Sequence, residues 1–544
     1  MINLRESLLL LSMAGLLAAC SDSDSSRATG RDETTAPPLT VQALEPLILP
    51  ATQFGDRAIQ FDGDLSDALQ ARLDSGTVTV SLTKNAETIP VDIVDGRIST
   101  SITLDNNINT IRLTLNDGNS EVMREFTVDF PFVSLSTFQS ADVVVGQTDF
   151  TQRNSDTTAS NFSTPYGNAY IYDGRLYLPD YGNNRILGFN EIPTNNGASA
   201  DFVLGQEDVI SANSDGDGLV SLGGPQTMQV VDGKFYVITY DAHRIVVTDE
   251  VPTTTGQLLP SFVIGQASPE ANESEDCSAA TLNSPETFII SDGKLIVTDT
   301  SNNRVLIWNT LPTVSGVAAD VVLGHDNFTC GNIDTPTVPE PITLLPVNPE
   351  EAETDEPFSI GSPGGVWSNG KTLIVADSDN DQLLIWQSFP TTNNQEPDLI
   401  IGPEIMAAGT EDTAPSESEE PETLEVTPLD LPYHLYSNGN QLFLSDFENN
   451  RVLVWNTLPT STNQEPDVIL GQSNLQANTE NDDNQDGESD RADNGETEAA
   501  SITSARTLSN PAGAYTANNQ LIITDEGNSR YLIFNGLDTP SVAP

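Results

Sequence analysis

The chain writes one unit six times, and that repetition limits its fold more than any other property of the sequence. The best-formed copy runs from Ser284 to Asn309. It holds a Pro, an apolar run, Asp292-Gly293, Leu295 to Thr298, then Asp299-Thr300-Ser301-Asn302-Asn303-Arg304 and a second apolar run ending at Trp308. Short β-favouring runs bounded by turn residues read as strands, and Asp-Gly between two of them suits a two-residue type I′ hairpin. A fourth strand follows at Ala319 to Gly324. The same order returns around Asp173-Gly174, Asp232-Gly233, Asn369-Gly370, Asn438-Gly439 and Asn518-Asn519. Six four-stranded units predict one array, not several unrelated domains.

Residues 134–544 are therefore expected to form a six-bladed β-propeller. Ala141 to Gln147 has the form of a fourth strand without the first three, and the sixth copy, ending at Phe534, lacks a fourth. Pairing the two would close the ring and leave no open sheet edge at the seam. Spacing between successive turns is 59 to 80 residues, against roughly 40 to 50 in compact propeller repeats. The surplus lies in acidic, Pro-rich stretches at 325–360, 403–428 and 473–508, which predict irregular insertions on one face.

The second hairpin of a copy carries Asp-x-x-Asn-x-Arg, at Asp180 to Arg185, Asp299 to Arg304, Asp446 to Arg451 and Asp525 to Arg530. With this motif the region resembles the NHL-repeat β-propellers. Thr239 replaces the Asp in the second copy, and Gln382 replaces the Arg in the fourth. A catalytic constellation needs different residues converging on one point, whereas this set recurs with one spacing. It reads as structural, the Asp and Asn holding loop backbone and the Arg pairing within or between blades.

Before the array, Leu8 to Ala19 is an apolar run too short to span a bilayer, and it leads to Leu17-Ala18-Ala19-Cys20. That tetrapeptide resembles the lipobox of bacterial lipoproteins, although Arg5 in the n-region is offset by Glu6. The resemblance implies a signal peptide at 1–19, a lipid on Cys20 and a place in the cell envelope. Ser21 in the next position favours the outer membrane. Residues 20–40 are poor in anything to bury and read as a disordered tether. Residues 41–133 carry alternating strands at Val78 to Leu82, Ile98 to Leu104, Asn109 to Leu115 and Glu125 to Phe130, which predict a small β-sandwich. Ile108 to Ile111 followed by Asn116-Asp117-Gly118-Asn119 is similar to the late hairpin of bacterial immunoglobulin-like modules.

Lys and Arg number 21 against 80 Asp and Glu, a net charge of −59. Polyanions are repelled by such a surface, so nucleic acid is excluded as a partner and cations are favoured. Within the third insertion, Asp482, Asn484, Asp486, Asp490 and Asp493 follow the spacing of a calcium loop, with Gly487 at its turn. An acidic solvated loop explains the same residues, and no cofactor other than this calcium ion is suggested. His243, His325 and His434 are the only three His, in positions that do not predict a zinc site. Cys277 and Cys330 flank the third copy, and outside the cytoplasm two such Cys are expected to be bridged.

A functional site belongs where equivalent positions differ. The residue after the first-strand Pro is Tyr166, Gln226, Glu286, Gly364, Tyr433 or Ala512, and the next is Gly167, Thr227, Thr287, Gly365, His434 or Gly513. Tyr166, Gln226, Glu286, Tyr433 and His434 thus predict an asymmetric ligand site at the mouth of the central channel. Side chains exposed there should tolerate truncation within about 0.5 kcal/mol. The expected function is a lipid-anchored binding or scaffold protein that takes a small molecule or protein at this mouth or on the acidic face. The alternative is a propeller enzyme of lyase or lactonase type, which convergence of several of these residues would favour.

Overall fold

The computed structural model describes residues 58–64, 67–94, 97–104, 107–119, 121–213, 222–272, 277–330, 358–402, 428–462, 464–491 and 502–537. The signal peptide, Cys20, the tether, Asp493 and the middle of each long insertion lie outside them. The chain divides into two units between Pro131 and Phe132.

The first unit holds two antiparallel sheets. One orders Ala58–Asp64, Arg97–Thr103 and Asp92–Val94; the other orders Glu87–Ile89, Thr79–Lys84, Asn107–Asn116 and Glu121–Phe130. Leu82, Ile111, Leu113 and Leu115 are buried. A helix at Asp67–Asp74 was not expected from the strand alternation. Its Ala, Leu, Gln and Arg residues are good helix formers. It ends at Gly76, φ +70°, where Gly76 and Thr77 N–H donate to the Leu73 and Arg72 carbonyls at 2.9 Å. That left-handed glycine stop is a common way to satisfy the last carbonyls of a helix.

The second unit is a β-propeller built from four-stranded antiparallel sheets, six of which lie among the described residues. They are numbered here in chain order. The third orders Phe288–Ser291, Lys294–Asp299, Arg304–Trp308 and Val321–Leu323. In the sixth, Pro511–Ala517, Gln520–Asp525 and Arg530–Asn535 are followed by Val143–Val145, paired as Tyr531↔Val145 and Ile533↔Val143. The chain's two incomplete copies thus complete one sheet, as their complementary shortfall predicts.

Strand periodicity explains why these sheets stack around a ring. Successive side chains on a strand point to opposite faces. Leu295, Val297, Leu306 and Trp308 share a buried cluster with Ile238, Ile245 and Val247 of the second sheet. Ile296, Val305 and Ile307, the alternate residues, join Leu373, Val375 and Trp386 of the fourth. Both faces of the middle strands are therefore apolar, which is why they read as continuous hydrophobic runs. The first and sixth sheets share a cluster through Leu176, Phe189, Ile522 and Tyr531.

The repeated motif is structural and acts within its own sheet. Arg304 Nε donates to Asp299 Oδ2 at 2.6 Å, with both side chains fully buried, and its Nη2 reaches the Ser278 and Thr281 carbonyls at 2.9 and 3.0 Å. Asp299 Oδ1 accepts the Asn283 N–H at 2.6 Å, and Oδ2 also accepts from Asn302 at 2.9 Å. Asp180–Arg185, Asp446–Arg451 and Asp525–Arg530 repeat the pair at 2.6, 2.7 and 2.6 Å. A buried ion pair is tolerable when its remaining hydrogen-bond capacity is filled in this way. Each Arg also holds the loop that leads into its sheet.

The residue before the Arg adopts the left-handed conformation in all six copies: Asn184, His243, Asn303, Asp381, Asn450 and Ser529, φ 51 to 53°. Asn and Asp tolerate this region better than most residues. In five copies its side chain then accepts a backbone N–H from the next sheet, at Gly224, Ser284, Ser362, Leu431 and Asn510, over 2.8 to 3.1 Å. His243 thereby acts as a staple between the second and third sheets.

The two-residue hairpin holds in four copies, where Asp173, Asp232, Asp292 and Asn518 and the residues after them all have positive φ. The fourth and fifth copies differ: Ser368 pairs with Leu373 and Ser437 with Leu442, leaving loops 369–372 and 438–441. There Asn369 Oδ1 accepts the Lys371 and Thr372 N–H groups, and Asn438 Oδ1 those of Asn440 and Gln441. The Asn side chain imitates a turn that the longer connection cannot make with backbone alone.

Candidate functional site

The innermost strand begins at its Pro in the second, fourth, fifth and sixth sheets and a few residues after it in the first and third, and the residues that follow these Pro crowd together. Thr227 Oγ1 donates to the Glu286 carbonyl at 3.3 Å, Thr287 Oγ1 to the Gly364 carbonyl at 2.7 Å, and Gly167 N–H to the Ala512 carbonyl at 3.1 Å. A Cβ on Gly364 would lie 2.6 Å from the Tyr433 carbonyl oxygen, and one on Gly513 would lie 2.4 Å from that of Gly167. Glycine at these positions of the fourth and sixth sheets therefore lets neighbouring innermost strands draw close around the room they share.

Tyr166, Glu286, Tyr433 and His434 meet in that room. The Tyr433 hydroxyl, from the fifth sheet, donates to Glu286 Oε1 of the third. The Tyr166 ring stands edge-on to Tyr433 at 5.3 Å and to His434 at 5.4 Å between centroids. Gln226 is buried nearby in the second sheet. The reading of these as exposed mouth side chains is corrected for Glu286, His434 and Gln226, which are 1 %, 0 % and 1 % exposed. Tyr166 and Tyr433 are half-buried as residues, but burial of their hydroxyls, reinforced by the Glu286 carboxyl, pushes both well above the ordinary tyrosine range. Truncating either removes packed ring contacts, so a loss of about 2–4 kcal/mol replaces the earlier expectation.

A second tier was missed in the sequence. The residue after the motif's Asp is Tyr181, Tyr240, Thr300, Ser378, Phe447 or Glu526, each opening a short 3-10 turn except Phe447, which opens a hydrogen-bonded turn. Tyr240, Tyr181, Tyr166, Tyr433 and Phe447 form an arc with successive centroids 6.0, 5.8, 5.3 and 5.6 Å apart. All five are half-buried. The same divergence at equivalent positions that marks Tyr166 and Glu286 marks this tier as well. Thr300 and Ser378 instead bond the Pro363 and Pro432 carbonyls at 2.7 and 2.8 Å, joining adjacent sheets.

The electrostatics of the cluster are unusual. Burial pushes the Glu286 carboxyl up to about 8, the Tyr433 hydrogen bond opposing and Asp379 reinforcing the rise. Burial alone holds the His434 imidazole down to about 3. Glu286 Oε2 and both His434 ring nitrogens have no hydrogen-bond partner among the described residues. Glu526, at the rim, is pushed up to about 7 by burial and by Asp525.

The other sequence candidates lie elsewhere. Cys277 and Cys330 form a disulfide, Cα–Cα 5.6 Å. Asp482 Oδ2 accepts the Gly487 N–H at 2.8 Å, Asp490 takes the Asp483 N–H and the Asn484 amide, both at 2.8 Å, and Asp486 accepts the Glu488 N–H at 3.0 Å. Among the described residues no group of three or more His, Cys, Asp or Glu is placed to hold a metal ion. No described helix is long and apolar enough to cross a membrane.

No protein-family model matches the sequence, and neither does any curated protein. Solved structures with a likeness to this chain include a putative phosphatase from Bacteroides thetaiotaomicron, at 12 % identity and TM-score 0.36, covering 90 % of this chain and 97 % of that one. The PQQ-bound aldose sugar dehydrogenase of Streptomyces coelicolor is similar at 10 % identity and TM-score 0.34, over 70 % and 96 %. BamB from Moraxella catarrhalis is similar at 10 % identity and TM-score 0.27, over 81 % and 89 %.

Proposed function

We propose that the chain is a ligand-binding module of the cell envelope: a six-bladed, NHL-like propeller behind an immunoglobulin-like domain, held to the outer membrane by lipid on Cys20. Its ligand, a small molecule or a side chain of a partner protein, is taken at the aromatic mouth. The observation that carries this reading is the convergence of Tyr166, Glu286, Tyr433 and His434 around buried polar atoms without partners. Leaving such atoms unmade is destabilising by about 1–3 kcal/mol each, and the equivalent residues Gly364 and Ala512 show that the repeat does not require them.

The test is a thermal-unfolding panel of small cations, anions, sugars and peptides, with native mass spectrometry of the purified chain. At least one class should raise the midpoint in the native protein and fail to do so in Glu286→Gln and Tyr166→Phe. No shift with any class and no co-purifying mass would make the cluster a packed plug. The anchor is tested separately: Cys20→Ser should leave the membrane fraction. Calcium in the 482–493 loop is a further proposal, and calcium titration should raise the melting midpoint if it binds there.

A catalytic reading shares the convergence of Tyr166, Glu286, Tyr433 and His434, which favours an enzyme as well, and adds one observation of its own. A carboxyl held protonated to about 8 places a proton donor in the cluster, while the imidazole, held down to about 3, is neutral and only weakly basic. Lactone or lyase turnover lost in both Glu286→Gln and His434→Gln, with binding retained, would move the function to an enzyme.

A further inference from the structure

The twelve residues of the two tiers include no Lys or Arg; nor do the residues that follow them. Acids are frequent there: Glu286 and Glu526, with Asp241, Asp379 and Glu448 next to the second tier. Among the described residues, the buried Oε2 of Glu286 has no partner and no cation acts on its carboxyl. Above it runs the arc of half-exposed rings. Aromatic faces attract cations through their quadrupole, and a carboxylate in an apolar surrounding is stabilised chiefly by an opposite charge.

We propose that the mouth takes a compact organic cation, an ammonium or quaternary ammonium group, seated against Glu286 Oε2 and the rings of Tyr166, Tyr181, Tyr240, Tyr433 and Phe447. This rests on reading the mouth as a binding site, and it adds the chemical class of the ligand. An anion meets several carboxylates and no compensating base. A neutral ligand gains nothing from the acids that surround the mouth. The neutral imidazole of His434 supplies no competing positive charge, and the chain's surplus of acids draws cations toward it.

Binding is coupled to a proton. The groups facing Glu286 are the hydroxyls of Tyr166, Tyr181, Tyr240 and Tyr433 and the carboxylate of Asp379. The four hydroxyls are shifted upward and stay protonated, so the groups of the mouth that titrate near neutrality are Glu286, pushed up to about 8, and Glu526 at the rim, pushed up to about 7. A bound cation favours the carboxylate form of Glu286, and a proton is released as the ligand enters.

Choline is a suitable probe because its own charge does not change with pH. Isothermal titration at fixed ionic strength, at about pH 6 and about pH 9, should show affinity at least about tenfold higher at the upper value. The uncharged carbon isostere of choline should bind at least about tenfold more weakly, with no such dependence. Glu286→Gln should remove the part of the pH dependence above about pH 7, and Glu286→Gln combined with Glu526→Gln all of it. If either variant does not fold, proton release by the native protein at neutral pH, read from buffers of different ionisation enthalpy, decides the matter. Equal binding of isostere and choline, or choline binding without proton release, overturns the proposal. A mouth that ignores choline but takes a neutral or anionic member of the panel overturns the cation and leaves the binding module standing. A mouth that takes nothing overturns both.

Discussion

Arg304 and Arg244 occupy the same place in neighbouring sheets and keep different company. Arg304 has Asp299 at 2.6 Å, whereas Arg244, facing Thr239, reaches the Pro269 and Ala271 carbonyls and, among the described residues, leaves its Nε without a partner. Arg304→Ala should destabilise the propeller by about 3–5 kcal/mol in chemical denaturation, because Asp299 is left buried and unpaired. The fourth sheet has the opposite defect: Asp377 faces Gln382, and burial pushes its carboxyl up to about 6. A group raised on folding contributes stability at low pH that is lost as pH climbs through its folded value. Gln382→Arg should therefore abolish a loss of stability between about pH 4 and about pH 6 and raise the melting midpoint at neutral pH. Glu286 gives a second window. Its contribution is full below about pH 4.5 and gone above about pH 8. Glu286→Gln should flatten the melting curve across that range, with an upper-bound gain of roughly 5 kcal/mol on the alkaline side. Divergence at equivalent positions made Glu286 and Tyr433 legible in the sequence. Their hydrogen bond was not, since it joins residues 147 apart on the third and fifth sheets, a meeting that no local pattern encodes.

Strands were legible because their chemistry is local. Apolar runs, turn residues and the period of two identify Lys294–Asp299 and Arg304–Trp308 from the sequence alone. Connections were less legible, since Asn369-Gly370 and Asp292-Gly293 look alike but close loops of different length. The left-handed residue before each Arg shows what a local pattern can hide. Asn303 caps its own turn and also accepts the Ser362 N–H at 2.8 Å. Asn303→Ala should cost about 1–2 kcal/mol, through the backbone preference and the unpaired amide together. Asn303→Gly should recover the first part only, and comparing their denaturation midpoints separates the two.

At the scale of the whole molecule, cross-links between distant segments set the response to insult. The Cys277–Cys330 bridge closes a loop across a sequence separation of 53. Reducing it should lower stability by about 2–4 kcal/mol, measured as a melting shift in the presence of reductant. Removing residues 134–147 should be far worse, because it strips Val143–Val145 from the sixth sheet and exposes an edge along Arg530–Asn535. A melting curve matching that of the intact chain would refute the seam. The seam also orders events in time. Asn535 N–H finds Asp142 Oδ2 at 2.8 Å across 393 positions. During synthesis the clasp strand emerges early and waits, unpaired, until nearly the whole array has followed it. Rings of this kind cannot lock from the start of the chain onward; they snap shut at the end, in one long-range step with a large loop-closure penalty. Moving residues 134–147 behind the sixth sheet would turn that last step into a short hairpin, giving a ring that folds faster while melting at the same temperature.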